Sequence, residues 1–494
     1  MPEMMKTLFL NPPSYEGFDS GAGARYQARR EIRSFWYPTW LAQPAAMVPG
    51  SRLIDAPPEG LTVEQVAPLA EDYELAVLHT STPSFANDAK FAAHIKEVNP
   101  KIMVGMVGAH VGVLPLQSLE AAPGVDWVAV GEFDHTCAEI AAGTSLKNVG
   151  GIAFRDNGRV SFTPPRPTIE NMDYLPFVVD VYKRDLRIEN YFIGYLQHPY
   201  VSLYTGRGCR SKCVFCLWPQ TLGGHRYRVR SAENVEAEMA LAKKYFPQVR
   251  EFFFDDDTFT DDLPRAEDIA RRLGRLGITW SCNAKANVPR RTLEIMKDNG
   301  LRLLLVGYES GDEQILINIK KGVRLDIARE FSRNARDLGI LIHGTFILGL
   351  PGETPDTIRK SIQFACDVEP ETIQVSLAAP YPGTELYRQA QEKGWLQIQT
   401  GELVDTHGIQ TSSMNYPGLS STFIFSSVEE FYRKFYFRPR KMFSLFGGML
   451  RDRRVMKRRL REGVEFFKFL HERKATGRVL AHTAPTASAS QTEA

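Results

Sequence analysis

Thr205-Gly206-Arg207-Gly208-Cys209-Arg210-Ser211-Lys212-Cys213-Val214-Phe215-Cys216 places three thiols in one loop, with three and then two residues between them. The loop follows a strand-like run over 200–204 and opens with two glycines. Thiolates are soft ligands that select zinc, copper(I) or iron–sulfur centres, and such close spacing lets one loop wrap one centre. A zinc site needs a fourth ligand, usually from a second Cys or His pair at metal-ligand spacing. The sequence offers no such pair: Cys137, Cys282 and Cys366 are isolated, and His225 stands alone. Three thiolates in one loop suit a cubane cluster that leaves one iron open. The plain alternative is three cysteines that only pack.

Around this loop the chain is long, 494 residues, which predicts two or three domains rather than one core. A net charge of +2 implies no global attraction to nucleic acid. Six cysteines, half of them in one loop, argue against a disulfide framework and for a reducing compartment. Residues 1–6 carry no secretory pattern, and no stretch reaches the roughly 18 uninterrupted apolar residues of a membrane span. A cytoplasmic protein is expected, with peripheral contact at the inner membrane left open.

Upstream, short apolar runs recur at 7–10, 52–54, 75–78, 102–107 and 125–130, with helix-compatible segments between several of them. Runs without alternation, separated in this way, predict a doubly wound parallel sheet in residues 1–147. Ligands of such sheets bind outside the carboxyl ends of the strands. Those ends carry Asn11, Ser81, Gly108, His110, Gly131 and Glu132. The glycines also suit ordinary turns, and His110 also suits a loop histidine bonded locally. Residues 148–199 read as a linker with one small hairpin at Asn157-Gly158, followed by a proline-rich connector.

Downstream, strand and helix patterns alternate through 200–400 and predict a partial barrel of six strand–helix units. Its strand ends are rich in chemistry. Asp255-Asp256-Asp257 sets three carboxylates side by side, which is costly unless a cation offsets them or water solvates them. Gly307-Tyr308-Glu309-Ser310-Gly311 closes the fourth strand. The fifth holds Gly344, Gly349 and Glu353, with glycines that let backbone approach a ligand. Lys285 follows the third strand and reads as a solvated lysine.

The cysteine spacing, with Phe215 before the last thiol, resembles the radical S-adenosylmethionine (SAM) superfamily. The resemblance implies that Cys209, Cys213 and Cys216 hold three irons of a 4Fe–4S cluster and that the fourth iron chelates SAM. It further implies SAM contacts at Phe215, Asp256, Asp257, Glu309, Ser310, Gly344, Gly349 and Glu353. The amino-terminal third is similar to the cobalamin-binding domain fused ahead of many such enzymes, which implies cobalamin contacts at Asn11, Ser81, Gly108, His110, Gly131 and Glu132. Here Val107 replaces one glycine of that branch's pattern and Phe133-Asp134 closes another. No Asp-x-His-x-x-Gly is present, so a histidine-ligated cobalt is not expected.

The stretch 433–474 holds fifteen Lys or Arg against four acidic residues, with interleaved aromatics. It reads as a helical region within 401–480, either a membrane-surface element or a cap over the barrel. Nothing accompanies it that reads nucleic acid. The Ala/Ser/Thr-rich tail 481–494 is expected to be disordered. The stretches 21–27, 35–41 and 79–85 resemble the bacterial hopanoid-biosynthesis-associated radical SAM group. That resemblance implies a hopanoid lipid substrate, ring contraction of the glucosamine carried by bacteriohopanetetrol to a cyclitol ether, and a reductant such as flavodoxin or ferredoxin. The second reading is a cobalamin-dependent radical SAM methyltransferase. The third is a non-enzymatic iron–sulfur or membrane-associated protein.

Overall fold

The computed structural model describes residues 4–15, 34–397, 403–404, 410–443, 456 and 460–473. The stretch 21–27, parts of the basic segment and the tail 481–494 lie outside the described residues.

The first sheet is built from β1 (Thr7–Asn11), β2 (Arg52–Asp55), β3 (Leu75–His79), β4 (Met103–Val107), β5 (Trp127–Ala129), β6 (Ile152–Asp156) and β7 (Arg159–Phe162). Its order is β2-β1-β3-β4-β5-β6-β7. β1 to β5 are parallel and β6 and β7 antiparallel. Every residue of β1 and β3 is buried, as a sheet covered on both faces requires. The strand order reverses between β1 and β3, so the ligand crevice opens over Asn11 and His79.

The expected linker 148–199 is not a free joint. Its hairpin extends the first sheet as β6 and β7. Helix Val178–Asp185 then buries Val178, Val179, Val181 and Tyr182. Tyr37 stacks on Tyr191 at 4.1 Å and meets Tyr182 and Tyr200 at 4.8 and 5.3 Å. Burying aromatic rings of this size outweighs the flexibility that a proline-rich connector would otherwise have.

β8 (Tyr200–Leu203) then enters a second sheet, with an antiparallel ribbon of β9 (Gly206–Arg207) and β10 (Arg228–Val229) at its top. The sheet continues through β11 (Glu251–Phe254), β12 (Trp280–Ala284), β13 (Leu301–Glu309), β14 (Leu341–Leu348) and β15 (Thr372–Leu377). These six strands are parallel and adjacent in chain order, the partial barrel that the alternation predicts. Helix Leu263–Leu276 is typical of its outer layer. Asp262 caps it, Gly277 ends it at φ 62°, and Ala266, Ile269, Ala270 and Leu273 face the sheet.

An open barrel leaves an edge strand whose free N–H groups invite pairing with another chain. Here helix Ser421–Tyr436 lies along β15 and satisfies that edge. Tyr436 OH accepts from Ile373 N (3.0 Å), Tyr432 OH from Val375 N (2.9 Å) and Gln410 Oε1 from Leu377 N (2.9 Å). Phe466, in the helical run 460–473, packs on Tyr432 at 5.3 Å. Part of the basic aromatic segment therefore caps the barrel, while Phe443 and Val464 stay more than 70% exposed. No helix of the described residues is long and apolar enough to cross a membrane.

Tyr432→Phe strands the Val375 amide in a buried site. A loss of about 1–3 kcal/mol is expected in urea unfolding, with faster hydrogen exchange at Val375.

Candidate active site

The thiol loop is held from several sides at the top of β8. Gly208 sits at φ 87°, where an added Cβ would lie 2.3 Å from the Arg226 carbonyl, so no other residue fits. Gln220 Nε2 donates to the carbonyls of Cys213, Val214 and Cys216 at 3.2, 3.2 and 2.8 Å. Val214 N donates to Ile319 O at 3.1 Å. Cys209 and Cys213 are buried and Cys216 is half-buried, with Cys209 Sγ 3.5 Å from Thr258 Oγ1. Burial pushes the Cys213 thiol up, with the Lys321 charge opposing. Phe215 is partly buried against the core. Among the described residues no three His, Cys, Asp or Glu side chains converge on a single ion. In a cubane each thiolate takes a different iron, and three soft thiol side chains on one loop, two buried and one half-buried, are the donor set such a cluster takes.

The three adjacent carboxylates reach separate partners. Asp256 is fully buried and accepts from Thr205 N, Thr205 Oγ1 and Tyr227 OH, each at 2.6 Å. It ties β11 to the ribbon. Asp255 accepts from Asn283 Nδ2 at 3.0 Å. Asp257 accepts from Gly208 N at 3.1 Å and is the one set against the thiol loop. The repulsion among three acids is thus met by hydrogen bonds pointing in three directions. Lys285 pairs with Asp261 at 2.6 Å and is not solvated.

Glu309, at the end of β13, accepts from Lys321 Nζ at 2.7 Å. Ser310 is buried with its Oγ 3.1 Å from Ser361 Oγ. The glycines of the fifth strand serve packing. A Cβ on Gly344 would press to 3.2 Å on Tyr308 and Pro370, and one on Gly349 (φ 86°) to 3.1 Å on Ile424. Glu353 Oε2 accepts from the Gly349 and Leu350 amides and closes that turn.

On the first sheet, Asn11 donates to Asp55 at 2.9 Å, and Tyr191 donates to the other Asp55 oxygen at 2.8 Å. Ser81 closes a turn on Ser84 Oγ at 2.9 Å. Gly108 is required, since its φ is 124° and a Cβ would lie 2.2 Å from Thr80 O. His110 lies 3.2 Å from Thr82 Oγ1, on the neighbouring strand end, and against the Phe85 ring. Gly131, at φ 85°, faces open space. The crevice ends in buried polar atoms: among the described residues, Asn11 Oδ1 and both nitrogens of His79 have no hydrogen-bond partner. Burial pushes His79 and His110 down to about 4, so both are neutral near pH 7. A polar group filling the crevice would satisfy these atoms.

Glu132 has another duty. It pairs with Arg228 and stands 3.6 Å from Arg207, while Arg207 forks onto Asp134 at 2.6 and 2.9 Å. All four side chains are buried. Arg207 also lies over Trp40, which stacks on Trp218 at 5.3 Å. The carboxyl ends of the first sheet therefore face the mouth of the barrel, with Gly112 near Leu222 and Gly383 near Val113. Sequence reasoning missed Arg207, Gln220 and Lys321. Only Arg207, two residues before the first thiol, carried a local signal.

The family model described as the radical SAM superfamily matches residues 203–365. An uncharacterised methyltransferase of Pyrococcus horikoshii is 30% identical over 406 residues, covering 78% of this chain and 83% of that protein. The chain belongs to the radical SAM superfamily. It is an enzyme with the barrel of that superfamily. The cytidylyl-2-hydroxyethylphosphonate methyltransferase of Streptomyces wedmorensis is 26% identical over 406 residues, covering 73% of this radical SAM chain and 74% of the relative. Among solved structures, the radical SAM methyltransferase TsrM of Kitasatospora setae, with cobalamin and a 4Fe–4S cluster bound, shares the fold. Its TM-score is 0.67 at 15% identity, over 94% of this chain and 99% of that one.

Two outcomes are expected. Arg207→Leu leaves Asp134 buried without its partner, at a cost of about 3–5 kcal/mol in chemical unfolding. Burial pushes Glu353 up to about 8, against the partial opposition of two amides. Between the ordinary value near 4.5 and about 8, the folded chain keeps a proton that the unfolded chain has lost. Stability therefore falls as pH rises through that window, by at most about 1.4 kcal/mol per unit. In Glu353→Gln the slope should flatten, as read from urea midpoints at successive pH values.

Proposed function

We propose that this protein is a cobalamin-dependent radical SAM methyltransferase. The observation that carries the reading is the seating of the thiol loop against the crevice ends of the first sheet, through Arg207–Asp134 and Arg228–Glu132. The two relatives described above are named methyltransferases, and the solved neighbour is one with cobalamin and a cluster bound. Cys209, Cys213 and Cys216 would hold the cluster, and Asn11, His79, Gly108 and Gly131 would line the cobalamin crevice. When bound, these groups supply reductive cleavage of SAM and a transferable methyl.

The chain's own part is placement. Gln220 and the Ile319 carbonyl fix the thiol loop, and Asp257 orients its first turn. The buried arginines keep the two halves in register, and burial keeps His79 and His110 neutral beside the crevice. Asp256, Ser310, Gly344, Gly349 and Glu353 shape the SAM side by holding its backbone, while Phe215 and Glu309 stand nearest the loop.

Ring contraction of a hopanoid headgroup has no counterpart in the relatives described above, and methyl transfer takes its place. A hopanoid lipid remains the substrate class we favour, on the resemblance of 35–41 and 79–85. Flavodoxin or ferredoxin would supply electrons, and the exposed aromatics around Phe443 would touch the membrane surface.

After anaerobic reconstitution with iron, sulfide and cobalamin, incubation with SAM, reductant and hopanoid extract should release S-adenosylhomocysteine and 5′-deoxyadenosine and yield a lipid heavier by one methylene. A rearranged lipid of unchanged methyl count would sink methyl transfer. Cys213→Ala should lose the iron–sulfur absorbance, and a full cluster in that variant would show that the ligands are misassigned.

A further inference from the structure

Lys321 and Glu309 form an ion pair beside the thiol loop, with side chains 13% and 8% exposed. Burying two charges forfeits their hydration and rarely stabilises a fold by itself. This pair is nonetheless built with care. Glu309 sits at φ 67°, a left-handed conformation that strains a residue with a side chain. The register of β13 on β14 slips between Gly307 and Glu309. A Cβ on Gly307 would lie 2.2 Å from Glu309 Oε1 and 2.8 Å from Lys321 Nζ, so that glycine makes room for the pair. The lysine's own loop lies on the cysteines: Ile319 O accepts from Val214 N, and Cys213 Sγ is 3.8 Å from Lys320 O. Burial disfavours the Lys321 charge, and the Glu309 carboxylate is the chief influence that raises it again.

We propose that Lys321 is the counter-cation of the cysteine loop's iron–sulfur cluster and that Glu309 trims its effect, so that the pair sets how readily the cluster accepts an electron. This rests on the cluster assignment above. A cluster on three thiolates is anionic and gains one more negative charge on reduction. A fixed ammonium in a poorly screened site therefore favours the reduced form, and a fixed carboxylate opposes it. Lys321 is a positioning residue in this sense: it acts on the cluster through space.

The test is a redox titration of reconstituted protein without SAM, followed by EPR of the reduced cluster, with iron and sulfide assayed in each sample. Lys321→Met should lower the midpoint potential, Glu309→Gln should raise it, and Lys321→Arg should stay near wild type, all at equal iron content. A potential in Lys321→Met at or above wild type, or in Glu309→Gln at or below it, overturns the proposal. Should Lys321→Met fail to hold a cluster, the sign of the Glu309→Gln shift decides. Wild-type protein that takes up no cluster would overturn the functional reading and this inference together, whereas an intact cluster with unmoved potentials overturns this inference alone.

Discussion

Arg207 and Arg228 leave the ribbon at the mouth of the barrel and bury their guanidiniums against Asp134 and Glu132 of the first sheet. Removing four charges from water is expensive, and the cost is offset only if every lone pair and N–H finds its partner. The Arg207 fork onto Asp134 meets that demand, as do the bonds from Arg228 to Glu132, Ile169 O and Gly223 O. Such a network tolerates one relative placement of the two halves and no other. Because Arg207 is two residues from Cys209, the placement it enforces is that of the thiol loop over the crevice.

The same logic explains the tightness of the loop's surroundings. Carboxylates that the pattern marks as ligand contacts, and one glutamine that it does not, are committed to backbone. Asp256 holds Thr205, Gln220 holds three carbonyls of the loop, and Glu353 holds the turn after β14. Radical chemistry needs reacting groups placed within a fraction of an ångström and shielded from water. A loop fastened at this many points supplies such placement without spending the residues that face the ligand. Glu309 and Lys321 fit the same plan, with charge rather than hydrogen bonding as the controlled quantity.

The carboxyl-terminal segment shows how one stretch can answer two demands. Its aromatic hydroxyls satisfy the open edge of β15, which removes a site of unwanted pairing. Its outward rings, Phe443 at 76% and Phe467 at 58% exposed, are left over from that task. Composition alone cannot separate these roles, since a tyrosine reads the same whether its hydroxyl meets water or an edge amide.

Local spacing by itself determined the thiol loop, the six strand–helix units and the parallel first sheet, because each depends on periodicity and on neighbours within a few residues. Only the tertiary structure decided that Glu132 serves the interdomain network, that Asp256 holds Thr205 while Asp257 holds Gly208, that the hairpin of 148–199 joins the first sheet, and that the loop carrying Lys321 lies on the cysteines. Those assignments depend on which side chains meet across separations of about a hundred residues, such as Glu132 to Arg228 and Cys213 to Lys320. Burial then converts each meeting into a strong constraint, since a charge taken out of water must find its partner wherever the fold has placed it.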